Sequence, residues 1–167
     1  MPRPTAVYFD TIVLSNFARA QCQHLLAGRY AGRLFISPQV YDALPAGQRS
    51  GYDHVASMLH MVDEGVIQMA SLAAAELVHH RELLRTLGAG EASVLTLAKV
   101  RGGMVATDDR AARQACSRLK IMVTGTIGIL AACVRDGQIS GADADTALHA
   151  MIAGGFFSPV RCIADAF

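Results

Sequence analysis

Residues 87–115 carry the sequence LGAGEASVLTLAKVRGGMVATDDRAARQA, and this stretch decides the fold. Its pattern predicts a turn, then a helix with Glu91 in its first turn, where the helix dipole favours a carboxylate. A short apolar strand over 104–106 follows, and helical spacing resumes from Asp108. Two carboxylates, Asp108 and Asp109, therefore stand at the carboxyl end of a strand, which is where open α/β sheets bind their ligands.

A second strand ends in the same way near the start of the chain. The apolar residues 6–9 run directly into Asp10, and a single apolar helix is predicted from residue 12 to about residue 27. Taken alone, Asp10 is explained as a helix cap. Once two strands end in Asp, a shared crevice containing Asp10, Glu91 and Asp109 becomes the stronger interpretation. Carboxylates gathered there repel one another unless a hard cation such as Mg2+ or Mn2+ binds between them.

The remaining apolar runs predict an alternation of strands and helices. Further strands are expected at 34–36, 66–69 and 121–123, and a short helix at 39–44 is expected to be broken by Pro45. Strands separated by helices favour a mostly parallel sheet inside a three-layer α/β/α domain. With 167 residues the chain is expected to form one domain, residues 1–167.

Composition narrows the class of protein. The net charge is +1, so there is no global basic field, and hydrophobic residues make up 52% of the chain. No apolar run is long enough for a bilayer and no signal peptide is apparent, so a cytoplasmic protein without membrane association is expected. The four cysteines form no CxxC pair and are predicted to be buried free thiols rather than zinc ligands or disulfides. They are Cys22, Cys116, Cys133 and Cys162.

Five motifs, taken in their order and spacing, resemble those of PIN domains. They are FDTIVLSNF at 9–17, LFISPQV at 34–40, LGAGEAS at 87–93, ATDDRAAR at 106–113 and GTIGIL at 125–130. Each motif is weak alone, but together they span about residues 5–159. The subgroup that they resemble is bacterial and archaeal and is similar to the VapC-type toxins.

The resemblance implies a metal-dependent endoribonuclease in which three or four acids hold one or two Mg2+ or Mn2+ ions. Asp10, Glu91 and Asp109 match the metal-binding acids, and Asp108 matches their neighbour, which completes the site or holds the loop. These four acids form the implied catalytic set. The positions that match supporting polar residues are Thr11, Asn16 and Thr107.

The chemistry that such a site would perform is hydrolysis of RNA phosphodiester bonds. A carboxylate-bound Mg2+ acidifies a water molecule and offsets the charge that develops on the phosphate. Arg110 and Arg113 lie one helical turn apart beside the acids and are predicted to bind the RNA backbone. The alternative for these two arginines is a solvated helix face.

One position departs from the family pattern and keeps other functions open. The family usually carries Glu three residues after the Val of its second helix, but Val40 is followed at that distance by Ala43. Asp42 is adjacent, yet one helical step rotates a side chain by about 100°. The alternative is therefore a catalytically weakened PIN-like module that binds RNA or a protein. A phosphatase of the haloacid-dehalogenase type is a further alternative, but it would need the motif DxD at Asp10–Ile12, and the second Asp is missing. In a purely structural interpretation, all four acids cap helices or lie in solvated turns.

Partners follow from the resemblance rather than from the residues themselves. It implies an RNA substrate, a possible antitoxin protein and a homodimer. Several methionines would suit an apolar contact between two copies of the chain. They are Met58, Met61, Met69 and Met151.

Overall fold

The computed structural model describes residues 5–49 and 54–167, and these residues form five strands and nine α-helices. The strands are β1 (Val7–Phe9), β2 (Leu34–Ile36), β3 (Gln68–Met69), β4 (Met104–Ala106) and β5 (Met122–Thr124). The helices are α1 (Thr11–Arg19), α2 (Gln23–Arg29), α3 (Pro38–Arg49), α4 (His54–Asp63), α5 (Leu77–Leu83), α6 (Ala89–Arg101), α7 (Arg110–Leu119), α8 (Thr126–Arg135) and α9 (Gly141–Ala153). None of these described helices is both long and apolar enough to cross a bilayer.

The five strands form a single parallel sheet with the order β3-β2-β1-β4-β5. The strand β1 lies in the middle, and its residues Val7 and Phe9 are fully buried. A strand covered by helices on both faces carries a continuous apolar run instead of an alternating pattern, which is what the sequence shows. The structure confirms the predicted three-layer α/β/α architecture.

The strand order creates a crevice beside β1. From β1 the chain passes to β2 and β3 on one side, then crosses to β4 and β5 on the other side. The connections that follow β1 and β4 leave the sheet in opposite directions, and ligands of open α/β sheets bind at such a reversal. Asp10 follows β1 at this point, and Thr107–Asp109 follow β4.

The helix α6 is the central helix of the fold, since residues 92–98 are buried without interruption. Its polar residues are satisfied within the helix. The hydroxyl of Thr96 donates to the carbonyl of Ala92 at 2.7 Å, and the hydroxyl of Ser93 donates to the carbonyl of Gly90 at 2.7 Å. A buried helix of this kind fixes the position of Glu91 in its first turn relative to the sheet.

Two helix boundaries differ from the sequence prediction. The single helix expected to about residue 27 is wrong, because α1 ends at Arg19 and Gln21 adopts a left-handed backbone with φ 54° before α2 begins. The break expected at Pro45 is also wrong, because α3 continues to Arg49. A proline inside a helix removes one backbone hydrogen bond, and the rest of this helix persists around that loss.

Three of the four cysteines are buried as predicted, and the prediction of burial is wrong for Cys162. Cys22, Cys116 and Cys133 are buried and Cys162 is half-buried, all as free thiols. Burial raises the pKa of Cys22 to about 12 and that of Cys116 to about 11. Both side chains therefore stay protonated and act as small apolar groups in the core.

Candidate active site

Asp10 follows β1 at the reversal of strand order and is 2% exposed. Its carboxylate accepts a hydrogen bond from the backbone N–H of Val13 at 3.0 Å and a very short one from the hydroxyl of Thr107. The first contact makes Asp10 the N-cap of α1, as the capping interpretation expects. Capping, however, leaves the buried negative charge of Asp10 without a cationic partner among the contacts that fix it.

The pKa of Asp10 reflects its burial and the charged groups near it. Burial is the main cause that raises this pKa from 3.8 to about 6. The hydrogen bonds from Thr107 and Val13 oppose the rise, and the negative charges of Asp108 and Glu91 add to it. Folding has therefore brought three carboxylates, distant in sequence, into one electrostatic neighbourhood.

Thr107 joins the ends of the two central strands. Its buried hydroxyl donates to the carboxylate of Asp10 and accepts from the backbone N–H of Asp109 at 3.1 Å. The structure thus gives Thr107 a supporting position beside the acids. Thr11, the other predicted hydroxyl residue, is the half-buried first residue of α1.

Asp108 is held by two side chains from other elements. Its carboxylate accepts from the N–H of Thr126 at 2.9 Å, from the hydroxyl of Thr126 at 2.5 Å and from the amide of Asn16 at 3.4 Å. Asn16 also donates to the hydroxyl of Thr126 at 3.1 Å. Asn16 therefore orients Asp108, as its predicted supporting role requires. The sequence prediction did not include Thr126, although it lies in the quoted motif GTIGIL.

The two remaining acids occupy different surroundings. Asp109 caps α7, because its carboxylate accepts from the N–H of Ala112 at 2.7 Å. Glu91 bends back over the start of α6, where its Oε2 lies 2.6 Å from the position that a Cβ on Gly88 would take. The charge of Asp108 adds to the rise in the pKa of Asp10, whereas the carboxylate of Asp109 is engaged as a helix cap.

The two predicted RNA-binding arginines also differ. A guanidinium nitrogen of Arg113 donates to the carbonyl of Thr107 at 2.8 Å and to that of Thr124 at 3.1 Å. Arg113 thus braces the carboxyl ends of β4 and β5, although its side chain is exposed. Arg110 is exposed and lines a cleft together with Asp108 and Asp109.

Two clefts meet at Asp108. The α1 cleft, of about 530 Å3, is lined by Ile12, Asn16, Asp108, Asp109, Arg110 and Phe157 among others. The β5 cleft, of about 350 Å3, is lined by Asp108, Arg113, Gly125, Phe156 and Phe157 among others. The carboxylate of Asp108 and the segment Phe156–Phe157 belong to both clefts, so a ligand could reach Asp108 from either side.

The chemistry of the acids suits a hard divalent ion, since all their donor atoms are carboxylate oxygens. Both oxygens of Asp10 and the Oδ1 of Asp108 accept one hydrogen bond each and keep a further lone pair, whereas the Oδ2 of Asp108 accepts two. Within residues 5–49 and 54–167, however, no group of three His, Cys, Asp or Glu side chains is arranged so that it could hold an ion. Binding would therefore require Glu91 or another acid to turn inward. Ala43, in the place of the family's Glu, is exposed on α3, as is Asp42.

A protein-family model described as a PIN domain, DUF3368, matches residues 6–167. The match covers almost the whole chain, and the protein therefore belongs to the PIN-domain family. PIN domains are typically metal-dependent nucleases. A search of curated proteins gave no match.

Proposed function

We propose that this protein is a Mg2+- or Mn2+-dependent endoribonuclease. The observation that carries the proposal is the buried carboxylate of Asp10, whose pKa is raised to about 6 by burial and by the charges of Asp108 and Glu91. Three neighbouring carboxylates repel one another and do not stabilise the folded state. Carboxylates with perturbed pKa values in a crevice are therefore typical of functional sites. The crevice also lies at the reversal of strand order, where this class of fold binds its ligands.

The chain's own residues would divide the work as follows. Asp10, Asp108 and Glu91 would hold the ion, and Asp109 stays a predicted ligand that also caps α7. Thr107 fixes Asp10, while Asn16 and Thr126 fix Asp108. Bound Mg2+ or Mn2+ supplies an acidified water and offsets charge on the phosphate. Arg110, exposed beside Asp108, would attract the RNA backbone.

The primary experiment incubates the native protein with RNA and Mn2+, with and without a chelator. We expect cleavage that stops when the metal is removed. Asp10→Asn should reduce cleavage by at least about 100-fold, because even the loss of a group that merely orients a ligand costs 10- to 100-fold. Asp63→Asn, at the exposed end of α4, is the matched control and should leave the rate unchanged. Cleavage that persists in chelator or in Asp10→Asn would overturn the proposal.

A second pair of variants separates the two adjacent acids after β4. Asp109→Asn should keep most of its activity and its helix cap, because Asn caps a helix as well as Asp does. Asp108→Asn should lose Mn2+ binding and cleavage, since the charge of Asp108 acts on the buried carboxylate of Asp10. The reverse result would make Asp109 the metal ligand that the family motif indicates and assign Asp108 to holding the loop.

A second candidate function is a PIN-like module with a weakened site that binds RNA or a protein. Two observations favour it: Ala43 replaces the family's Glu, and the described acids are not arranged to hold an ion as they stand. Restoring the acid with Ala43→Glu tests it. An inert native protein and an active variant would support the module, whereas tight Mn2+ binding and cleavage by the native protein would exclude it.

The finer biological role that we propose is that of a VapC-type toxin, acting as a homodimer and held in check by an antitoxin. The family motifs quoted above support this role. Expression of the native protein should stop cell growth, and Asp10→Asn should abolish the effect. Light scattering of the purified protein gives the oligomeric state. Harmless expression of a protein that cleaves RNA in the test tube would argue against a toxin.

A further inference from the structure

An exposed aromatic side chain lines both clefts that contain Asp108. Phe157 is 95% exposed, although a phenyl ring normally gains stability from burial. It lines both the α1 cleft and the β5 cleft, each of which also includes Asp108. A second apolar side chain, Ile12, is 50% exposed and lines the α1 cleft as well. The two exposed apolar side chains therefore lie beside the carboxylates that line this cleft.

The backbone that carries Phe157 is closely specified. The N–H of Phe156 donates to the carbonyl of Met151 at 3.0 Å, and the N–H of Gly155 donates to that of Ile152 at 3.0 Å. These two bonds form a Schellman motif at the end of α9, with Gly155 in the left-handed region at φ 106°. The turn leads directly into Phe156 and Phe157, which line both clefts together with Asp108.

Two further contacts secure this segment. A guanidinium nitrogen of Arg19, on α1, donates to the carbonyl of Gly154 at 2.7 Å. The hydroxyl of Ser158 donates to the carbonyl of Val160 at 2.7 Å, directly after the phenylalanines. Phe156 is half-buried and packs against the core. Phe157 is thus an exposed ring on a segment that is fixed at its start by Arg19 and the end of α9, and that carries a local turn after the ring.

From these positions we infer that Phe157 and Ile12 form a subsite on which an unpaired nucleobase of the substrate stacks. The inference rests on the proposed nuclease function, because it places the base next to the phosphodiester bond on which the carboxylates act. Aromatic side chains stack on unpaired bases of any sequence, and exposed aliphatic side chains add apolar contact. Arg110 lines the same cleft and supplies positive charge for the backbone.

A nucleobase explains these features better than a duplex or a protein partner does. Bases inside a duplex stack on one another and do not present a free face to a side chain. A stable protein interface covers about 800 Å2 on each partner. Phe157 instead borders a cleft of about 530 Å3, a size typical of sites for small ligands and single residues of a polymer. The cleft also contains Asp108, which an apolar protein partner would have to bury.

The test measures RNA binding separately from cleavage. All variants are made in the Asp10→Asn background, so that the RNA stays intact, and a fluorescein-labelled 12-nucleotide RNA is used as a single strand and annealed to its complement. Phe157→Ala should weaken single-strand binding by about 5- to 100-fold and change duplex binding less than twofold. Phe157→Trp should retain the affinity, and Phe157→Leu should not. Phe167→Ala is the matched control, since Phe167 is also exposed, at 70%, but does not line either cleft.

A spectroscopic readout distinguishes stacking from simple contact. A 2-aminopurine base placed in the same single strand should lose fluorescence on binding, and this quenching should be absent in Phe157→Leu. The subsite is refuted if Phe157→Ala binds the single strand as its parent does, if Leu replaces Trp without loss, or if duplex affinity falls equally. A parent that binds no RNA also refutes it. A protein-docking role for Phe157 would appear as unchanged RNA affinity.

The nuclease proposal is judged by a different measurement, namely Mn2+-dependent cleavage by the native protein. If the native protein cleaves RNA and Phe157→Ala keeps single-strand affinity, the subsite fails and the nuclease stands. If the native protein does not cleave RNA with any divalent ion, the nuclease proposal itself fails.

Discussion

Replacement of Asp10 by asparagine should stabilise the metal-free protein. Asp10 is 2% exposed, and burial together with two neighbouring carboxylates raises its pKa from 3.8 to about 6. The unfolded chain ionises this group freely, so at neutral pH the folded state alone bears the cost of the buried charge. Because one pKa unit corresponds to about 1.4 kcal/mol, the gap between 3.8 and about 6 amounts to roughly 3 kcal/mol.

The substitution of Asp10 by asparagine also removes a stabilising hydrogen bond. Asparagine still accepts the N–H of Val13 and caps α1 about as well as aspartate does. It no longer offers a carboxylate to the hydroxyl of Thr107, and the loss of one hydrogen bond costs about 1 kcal/mol. The expected net gain is about 2 kcal/mol at pH 7.5, which for a domain of this size raises Tm by about 4–8 °C.

Thermal unfolding followed by circular dichroism in chelator, at pH 7.5 and pH 5, measures the effect. A folded-state pKa above the unfolded value means that the stability contribution of protonated Asp10 is fully present below 3.8 and is lost as the pH rises through about 6. The native protein should therefore gain stability on acidification from pH 7.5 to pH 5, and Asp10→Asn should lack that gain. Addition of Mn2+ should raise the Tm of the native protein alone.

Asp63→Asn is the control for removing one surface charge and should follow the native pH dependence. The reasoning fails if Asp10→Asn is no more stable than the native protein at pH 7.5 in chelator. It also fails if the variant and the native protein show the same change in Tm between the two pH values. Either result would mean that the buried carboxylate is compensated by a contact other than those described.

Three further predictions concern the site and its supports. Calorimetry should show that the Mn2+ affinity falls about tenfold per pH unit below about pH 6, because one proton competes with the ion for Asp10. An affinity that does not change with pH down to pH 5 would contradict this prediction. Thr126→Val removes the hydroxyl bonded to Asp108 and should lower Mn2+ affinity by about 10- to 100-fold, and unchanged affinity would mean that this bond does not position the acid. Gly155→Ala should lower the free energy of unfolding, measured with urea, by about 1–2 kcal/mol, because φ at this position is 106°. Gly141→Ala, at the start of α9, is the control and should be neutral or stabilising. Equal effects of the two substitutions would contradict the proposed backbone strain.

The sequence predicts the sheet well because its strands are short apolar runs that end in marked residues. The runs that became β1, β2 and β4 stand beside Asp10, Ser37 and Thr107, where polarity returns abruptly. Strands buried on both faces need uniformly apolar residues, so the runs are distinct from the amphipathic helices between them. The topology follows from the helical connections, which require parallel neighbours.

The helix boundaries were less predictable because tertiary packing overrode local preference. Gln21 takes a left-handed backbone with φ 54°, a conformation for which glycine or asparagine would have been the usual signal. Pro45 lies inside α3, although proline usually ends a helix. Neither feature could be derived from residue type alone.

The sequence indicates which acids to consider at the crevice, but it does not indicate which contacts each of them makes. Asp108 and Asp109 are adjacent, and one of them caps α7 while the other meets Asn16 and Thr126. That choice depends on the backbone at the end of β4, which the pattern of apolar residues does not determine. The position of Phe157 depends on the turn at Gly155, since nothing in the sequence of the tail links it to a crevice built from earlier residues.

The bond from Thr107 to Asp10 joins residues 97 positions apart in the chain. A ribosome that has completed β1 must therefore synthesise most of the polypeptide before β4 can pair with it and complete the crevice. Incomplete nascent chains and carboxyl-terminal truncations that lack β4 therefore cannot bring Thr107 and Asp108 to Asp10, whatever their concentration. The order of the strands thus delays completion of the acidic crevice until β4 has been synthesised.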